Sequence, residues 1–177
     1  MMQNVKLKLA AFDVGHTLID ESIDAANFLL PVRLMPHVQE ILPQIPLPMA
    51  AWSNTRSARE ADVRRLLEAG GIGHFFTSIV TSVDAGYRKP DSRFFQFAIN
   101  KCGVSADEVL FVGNQLNTDV CGGVQGGIAT VWIAGRPYRS PDDAPRTVSP
   151  HFTIESLVEL PALVRRLQTS FPETTQH

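Results

Sequence analysis

Short apolar runs alternate with amphipathic segments along most of this 177-residue chain. Residues 5–14 begin with alternating apolar and polar positions and then become continuously apolar up to an acid, a pattern typical of a strand that enters a buried sheet. Similar β-rich runs predict four more strands, at residues 47–52, 78–83, 109–113 and 128–133. Helical spacing between them predicts helices at residues 34–45, 57–69, 91–102 and 117–127.

Several residues mark where these helices begin and end. Ser57 is predicted to cap the second helix, and the glycine pair at 70–71 supplies a left-handed stop. Gly103 closes the third helix in the same way. A last helix is predicted after a short strand at residues 151–154. Pro161 lies within it, and because proline lacks a backbone donor and clashes one turn back, we expect a kink or a restart there.

Strands that alternate with helices, and that are too apolar to be half-exposed, predict an α/β fold with a doubly wound parallel five-stranded sheet and helices on both faces. The length suits one domain, which we place at residues 1–168, with a frayed tail at residues 169–177. In such sheets ligands bind beyond the carboxyl ends of the strands. The polar residues expected there are the candidates for chemistry: Asp13, Ser53, Asn54, Lys89, Asn114 and Asp119.

Composition and charge narrow the classes of function. Sixteen Lys and Arg against eighteen Asp and Glu give a formal charge of −2, without the basic excess of a protein that binds nucleic acid or a membrane surface. Cys102 and Cys121 form no close-spaced pair, which argues against a disulfide framework or a structural zinc site. No apolar stretch approaches eighteen residues and the N-terminus lacks signal-peptide features, so we expect a cytoplasmic protein.

Four segments follow the order of the motifs of the haloacid dehalogenase superfamily, whose members are mostly magnesium-dependent phosphatases and phosphotransferases. AFDVGHTL resembles the first motif, with Asp13 in the nucleophile position and Thr17 in that of the conserved threonine. AWSNTR resembles the second motif, a strand that ends in Ser53, and YRKPDSRFF resembles the third, with Lys89. FVGNQLNTDV is similar to the fourth, with Asp119 as its second acid.

The resemblance implies phosphoryl transfer through a carboxylate. Asp13 would be the nucleophile, Ser53 would donate to a phosphoryl oxygen, and Lys89 would neutralise charge shared by the phosphate and Asp13. The expected substrate is a phosphorylated small molecule or macromolecule. The residues expected to contact it are Thr17, Asn54 and Arg56, and Arg136 and Arg139 are further arginines that suit an anion, although loop arginines are commonly only solvated.

The resemblance also implies a magnesium ion. Mg²⁺ binds oxygen ligands in octahedral array, typically one or two carboxylates with phosphate and water. Asp13, the carbonyl oxygen of Gly15, and the fourth-motif side chains of Asn114 and Asp119 are the implied ligands.

Two departures from the family pattern change the expected activity. Phosphatases of the family carry a second aspartate, a general acid and base, two residues after the nucleophile, and here that residue is Gly15. General acid catalysis is worth about a hundredfold to ten-thousandfold, so substrates whose leaving group needs a proton should be poor. His16 either takes over this proton transfer or is a turn residue. Asn114 replaces a metal-binding acid, so Mg²⁺ should bind weakly.

The chain leaves no room for a cap domain. Only 35 residues separate Thr17 from Ser53, so residues 18–35 can form a small lid at most, and the open site suits bulky substrates or a second copy that covers it. The leading interpretation is a magnesium-dependent hydrolase or phosphotransferase. The alternative is a catalytically degenerate binding or scaffolding module, which Gly15 and Asn114 favour. A metal-free dehalogenase would rely on a cap, and a receiver domain needs an acidic pair where Asp13 stands alone.

Overall fold

Six parallel strands form a sheet in the order β3-β2-β1-β4-β5-β6. In this computed structural model, which describes residues 6–20, 31–136 and 148–169, the strands are β1 Leu9–Phe12, β2 Met49–Ser53, β3 Phe76–Thr81, β4 Val109–Gly113, β5 Ala129–Ile133 and β6 Phe152–Ile154. The predicted parallel α/β fold is confirmed. The predicted number of strands is one too low, because the short strand expected at residues 151–154 pairs with β5 and joins the sheet.

Helices cover both faces of the sheet. Successive residues of a strand point to opposite faces, and β1 shows the consequence. Ala10 and Phe12 belong to one hydrophobic cluster, whereas Leu9 and Ala11 belong to a second cluster that includes Phe94. This two-sided burial explains the continuously apolar strand. The helices are α1 Val38–Ile41, α2 Glu60–Ala69, α3 Ser82–Ala85, α4 Ser92–Cys102, α5 Cys121–Gln125 and α6 Leu160–Thr169.

Three of the predicted helices differ in detail from the observed ones. The helix expected at residues 34–45 is a single turn, α1, followed by a 3-10 turn at Leu42–Gln44 that contains a proline. The helix expected to start at Ser57 starts at Glu60 instead, because the Asp62 carboxylate accepts the Arg59 N–H at 2.9 Å and the Asp84 carboxylate accepts the Glu60 N–H at 2.8 Å. The helix expected at residues 117–127 begins as a π-helical turn, Leu116–Val120, before α5.

Other local signals are confirmed. Gly71 and Gly103 have φ angles of 74° and 68°, the left-handed stops that were expected after α2 and α4. The third predicted helix is α4, and Asp91, predicted as its first residue, is its cap and accepts the backbone N–H of Arg93. A 3-10 turn precedes α6, and Pro161 lies in the first turn of that helix, so the chain restarts there as expected.

In the segment between β1 and α1, residues near its beginning form backbone hydrogen bonds with residues near its end. The Asp20 N–H donates to the Arg33 carbonyl and the Met35 N–H donates to the Leu18 carbonyl, both at 2.9 Å. The middle of the predicted lid, residues 21–30, lies outside the described residues, as do Arg139 and the tail from residue 170. In the described ranges, none of the helices has the length and apolar character needed to cross a membrane.

Candidate active site

Asp13 lies where the chain turns out of the middle of the sheet. β1 is flanked by β2 on one side and by β4 on the other, and this reversal of strand order opens a crevice at the carboxyl end of β1. The Asp13 N–H donates to the Val112 carbonyl of β4 at 2.9 Å, which continues the strand pairing up to the site. Asp13 is only 8% exposed.

Lys89 reaches this carboxylate from the loop between α3 and α4. Its Nζ lies 2.7 Å from Asp13 Oδ1, 2.8 Å from Asp119 Oδ1 and 2.9 Å from the Trp52 carbonyl oxygen, so all three ammonium protons have acceptors. Asn54 fixes the main chain of the same lysine: its Nδ2 donates to the Lys89 carbonyl and its Oδ1 accepts the Lys89 N–H. The lysine is therefore held at its head and at its backbone.

Asp119 holds Lys89 from the side opposite Asp13. Its Oδ2 accepts the backbone N–H groups of Asn114 and Gln115, at 3.2 Å and 3.1 Å. The carboxylate fits because residue 113 is glycine: a Cβ there would lie 2.4 Å from Asp119 Oδ2. That Asp119 binds magnesium stays a prediction. Its hydrogen bonds fix Lys89 and the turn after β4.

Thr17 connects Asp13 with the fourth motif. Its side chain is fully buried, and its hydroxyl lies 3.2 Å from both Asp13 Oδ2 and Asn114 Oδ1. The Asn114 carbonyl accepts a hydrogen bond from the Trp132 indole at 3.0 Å. Within the described part of the chain, Asn114 Nδ2 is buried with no hydrogen-bond partner. Two oxygens from different strands thus converge on one hydroxyl.

Burial and charge shift the protonation equilibria of the site. Burial and the negative charge of Asp119 raise the pKa of Asp13 to about 6, against the opposing effect of Lys89. Burial alone would lower the pKa of Lys89, but Asp119 and Asp13 together raise it above its ordinary value. Lys89 is therefore a permanent cation between two acids.

Residues 18–133 match the sequence model of the family described as haloacid dehalogenase-like hydrolase. The chain belongs to this family. The resemblance seen in the motifs is thereby confirmed. Asp13 and Thr17 lie just before the matched range, and the geometry described above connects them to Lys89 and Asn114, which lie within it.

Relatives of this haloacid dehalogenase-like protein include phosphatases. Pyrimidine 5'-nucleotidase YjjG of Escherichia coli is 31% identical over 99 residues, which are 55% of this chain and 42% of that protein. Human N-acylneuraminate-9-phosphatase is 30% identical over 113 residues, 63% of this chain and 44% of that protein. The chain thus spans less than half the length of these curated relatives.

Solved structures agree on the fold. An uncharacterized protein from Listeria monocytogenes serotype 4b gives a TM-score of 0.77 at 25% identity, over 92% of this chain and 99% of that chain. The putative HAD-hydrolase YfnB from Bacillus subtilis, whose structure was determined bound to magnesium, gives 0.72 at 17% identity, over 90% of this chain and 99% of that chain.

The other residues predicted for this haloacid dehalogenase-like site differ in their burial and contacts. Ser53 is buried at the end of β2, and its hydroxyl makes one long contact of 3.5 Å with the Asn54 carbonyl. Gly15 and His16 are half-buried in the turn after Asp13, where His16 takes a left-handed φ of 56°. Arg56 is exposed in the loop after β2.

Two functional contacts escaped the sequence interpretation. Asn54 was expected to touch substrate, whereas both ends of its amide bind the Lys89 main chain. Arg136 was expected to bind an anionic substrate or to be a solvated loop charge, whereas it is 8% exposed and its Nη2 donates to the Thr17 carbonyl at 2.9 Å. Neither contact leaves a local signal, because each joins segments that are far apart in the sequence.

Proposed function

We propose that this protein is a phosphohydrolase in which Asp13 accepts a phosphoryl group. The observation that carries the proposal is the buried Asp13 carboxylate at the end of β1, with Lys89 Nζ 2.7 Å from one oxygen and the Thr17 hydroxyl 3.2 Å from the other. A carboxylate can approach a phosphate only when cations and donors offset the repulsion between the two anions. The names of the relatives, phosphatases and a nucleotidase, support a substrate that contains phosphate.

The proposed reaction has two steps. In the first, an Asp13 oxygen forms a bond to phosphorus while the bond from phosphorus to the leaving group breaks, and the leaving group departs with the electron pair. In the second, water forms a bond to phosphorus, the bond to Asp13 breaks, and phosphate and a proton are released. Lys89 offsets negative charge on the phosphoryl oxygens, and Ser53 donates a hydrogen bond to one of them.

Magnesium is the proposed cofactor, and the donors present fit it. The Thr17 hydroxyl has one proton, so it donates to Asp13 or to Asn114 but not to both. A half-turn of the Asn114 amide lets its NH₂ group donate to Thr17 and puts its oxygen where the unpartnered Nδ2 lies. Asp13, the Gly15 carbonyl and Asn114 would then hold the ion through oxygen. Bound there, it would neutralise charge on the phosphoryl group.

Gly15 narrows the proposed substrates. Phosphatases of the superfamily carry their general acid two residues after the nucleophile, and glycine cannot transfer a proton. Substrates whose leaving group departs unprotonated, such as aryl phosphates, acyl phosphates and phosphoanhydrides, are therefore favoured over alkyl phosphates. The hydrolysis of the phosphoenzyme should also be slow, because the same side chain would activate water.

Acetyl phosphate tests this proposal directly. Mixed with the protein and Mg²⁺, it should add one phosphoryl group, visible by intact mass spectrometry at early times and removed by hydroxylamine. The Asp13→Asn protein is the matched control, because its amide is nearly isosteric and cannot form the acyl phosphate. A label that persists in Asp13→Asn would contradict the assignment of the nucleophile.

A second variant separates the enzyme from the binding module. Gly15 is not among the described glycines with positive φ, so its backbone can accept an aspartate without left-handed strain. Gly15→Asp should speed the decay of the label and extend turnover to alkyl phosphates, by up to roughly ten-thousandfold. A magnesium-loaded protein that never acquires the label, with no gain in Gly15→Asp, would instead favour the binding or scaffolding module.

A further inference from the structure

Arg136 is a buried cation directly after β5. Its side chain is buried, and its Nη2 donates to the main-chain carbonyl of Thr17 at 2.9 Å. Burial lowers the pKa of Arg136 to about 10, so the guanidinium keeps its charge at neutral pH. Its Nε is buried without a hydrogen-bond partner among the described residues. Burying a guanidinium costs free energy, which indicates that the hydrogen bond from Arg136 to the Thr17 carbonyl has a role.

The Thr17 carbonyl belongs to the turn that aims the Thr17 hydroxyl at the nucleophile. The turn is held internally by the Val14 carbonyl, which accepts the N–H groups of Leu18 and Ile19 at 2.9 Å and 3.0 Å. Arg136 holds the turn from outside, because it lies in the loop after β5. In the sheet, β5 is separated from β1 by β4. The position of the Thr17 hydroxyl beside Asp13 thus depends on contacts from both sides.

We propose that Arg136 is a positioning residue that acts through Thr17, fixing the hydroxyl beside Asp13, and that it does not bind the substrate. The inference rests on the proposed function, because it concerns the geometry of the same nucleophile. A positioning role affects the rate of the chemical step more than the binding of substrate, since misplacing a reacting group by about 1 Å can cost about a hundredfold in rate. A substrate-binding role would act mainly on the dissociation constant of the substrate.

Burst kinetics with p-nitrophenyl phosphate and Mg²⁺ distinguish the two roles, because the burst of p-nitrophenol reports the transfer to Asp13 before the slow hydrolysis of the phosphoenzyme. Arg136→Met keeps an unbranched apolar side chain and removes the guanidinium donors; the maximal burst rate constant should fall about tenfold to a hundredfold, while the substrate concentration at half of that rate stays within about twofold. Arg136→Lys retains a donor and should recover part of the burst rate constant. The control is Arg33→Met, because Arg33 is an exposed arginine beside Asp20 of the same segment, 3.8 Å away, and its loss should leave both constants unchanged.

A double-mutant cycle with Thr17→Val then tests the path of the effect. If Arg136 acts through Thr17, adding Arg136→Met to Thr17→Val should lower the burst rate constant by less than about twofold, since the hydroxyl is already gone. Additive losses, or a change confined to the substrate concentration at half-maximal burst rate, would overturn the positioning role while leaving the phosphohydrolase intact. A wild-type protein without Asp13-dependent turnover would instead overturn the proposed function, and that result appears before any arginine is changed.

Hydrogen exchange provides a readout that does not depend on turnover. The amide protons of Leu18 and Ile19 report on the turn, because both are bonded to the Val14 carbonyl. They should exchange at least about tenfold faster in Arg136→Met than in the wild-type protein, and at the wild-type rate in Arg33→Met. Unchanged exchange in a folded Arg136→Met protein would show that the arginine does not hold the turn, and the inference would fail.

Discussion

Asp13 shares one lysine with a second acid, and this arrangement has a thermodynamic cost. Asp13 and Asp119 both contact Lys89 Nζ, so the three ionised groups carry one net negative charge in a buried place. The raised pKa of Asp13 expresses that cost, because the folded protein favours the neutral acid more than the unfolded chain does. The ionised form of Asp13, which the proposed chemistry needs, therefore lowers the stability of the ligand-free protein.

The cost predicts how stability depends on pH. The pKa of Asp13 is about 6 in the folded state and 3.8 in the unfolded reference, so the folded state binds more protons between these values. In the absence of Mg²⁺, the contribution of Asp13 to the free energy of unfolding should therefore fall by up to roughly 3 kcal/mol as the pH rises from about 4 to 7. Asp13→Asn should lack this decline and be the more stable protein at neutral pH.

Urea unfolding at a series of pH values measures this effect. Asp107→Asn is a suitable control, because it removes an exposed acid of the same kind and should leave the wild-type slope unchanged. If the free energy of unfolding changes with pH in parallel for the wild-type and Asp13→Asn proteins between pH 4 and 7, the predicted destabilisation by ionised Asp13 is wrong.

At the scale of elements, the end of β4 and the turn that follows it form one packing unit. The carboxylate of Asp119 lies where the side chain of residue 113 would be. We expect Gly113→Ala to displace Asp119 from Lys89, to lower kcat at least about tenfold, and to destabilise the fold by about 1–3 kcal/mol. Gly126→Ala is the control for a tightly packed glycine away from Asp119: its Cβ would meet the Gly122 carbonyl oxygen at 3.3 Å, a close contact, so it should lower stability and leave kcat unchanged. Wild-type turnover in Gly113→Ala would contradict this account.

The elements that could be predicted from the sequence are those specified locally. The cap and stop of α4, Asp91 and Gly103, act within a turn of that helix, and the apolar strands need only their own composition. The start of α2 could not be predicted from Ser57, because one of the two carboxylates that accept N–H groups there comes from Asp84, on α3, and the other from Asp62 within the helix. Likewise, the motifs predicted that Asp13 and Lys89 meet, but not that Asn54 serves the backbone of Lys89.

At the scale of the whole molecule, thermal unfolding reports the binding of the proposed metal. A ligand that binds only the folded state stabilises it by RT ln(1 + [L]/Kd), which is about 1.4 kcal/mol at ten times Kd. The melting temperature should rise with Mg²⁺ at millimolar concentrations. Asn114→Asp should melt lower than wild type without the ion, since it adds a third buried acid beside one lysine, and should show tighter Mg²⁺ binding by calorimetry.

Asn114→Leu provides the matched control for that experiment, because its side chain has the same branched arrangement of heavy atoms and no oxygen. Its melting temperature should respond less to Mg²⁺ than that of the wild-type protein. Equal Mg²⁺ affinity in wild type, Asn114→Asp and Asn114→Leu would mean that residue 114 does not face the ion.

The order of the sheet has a consequence for synthesis on the ribosome. β1 is the first strand to emerge, yet it lies between β2 and β4, and β4 begins only at Val109. Asp13 meets Lys89 across 76 residues, and Thr17 meets Asn114 across 97. Most of the described chain must therefore leave the exit tunnel before the nucleophile gains its partners, and a nascent chain stalled before β4 would carry an apolar first strand with an open edge. Such a chain should depend on chaperones that cover exposed strands.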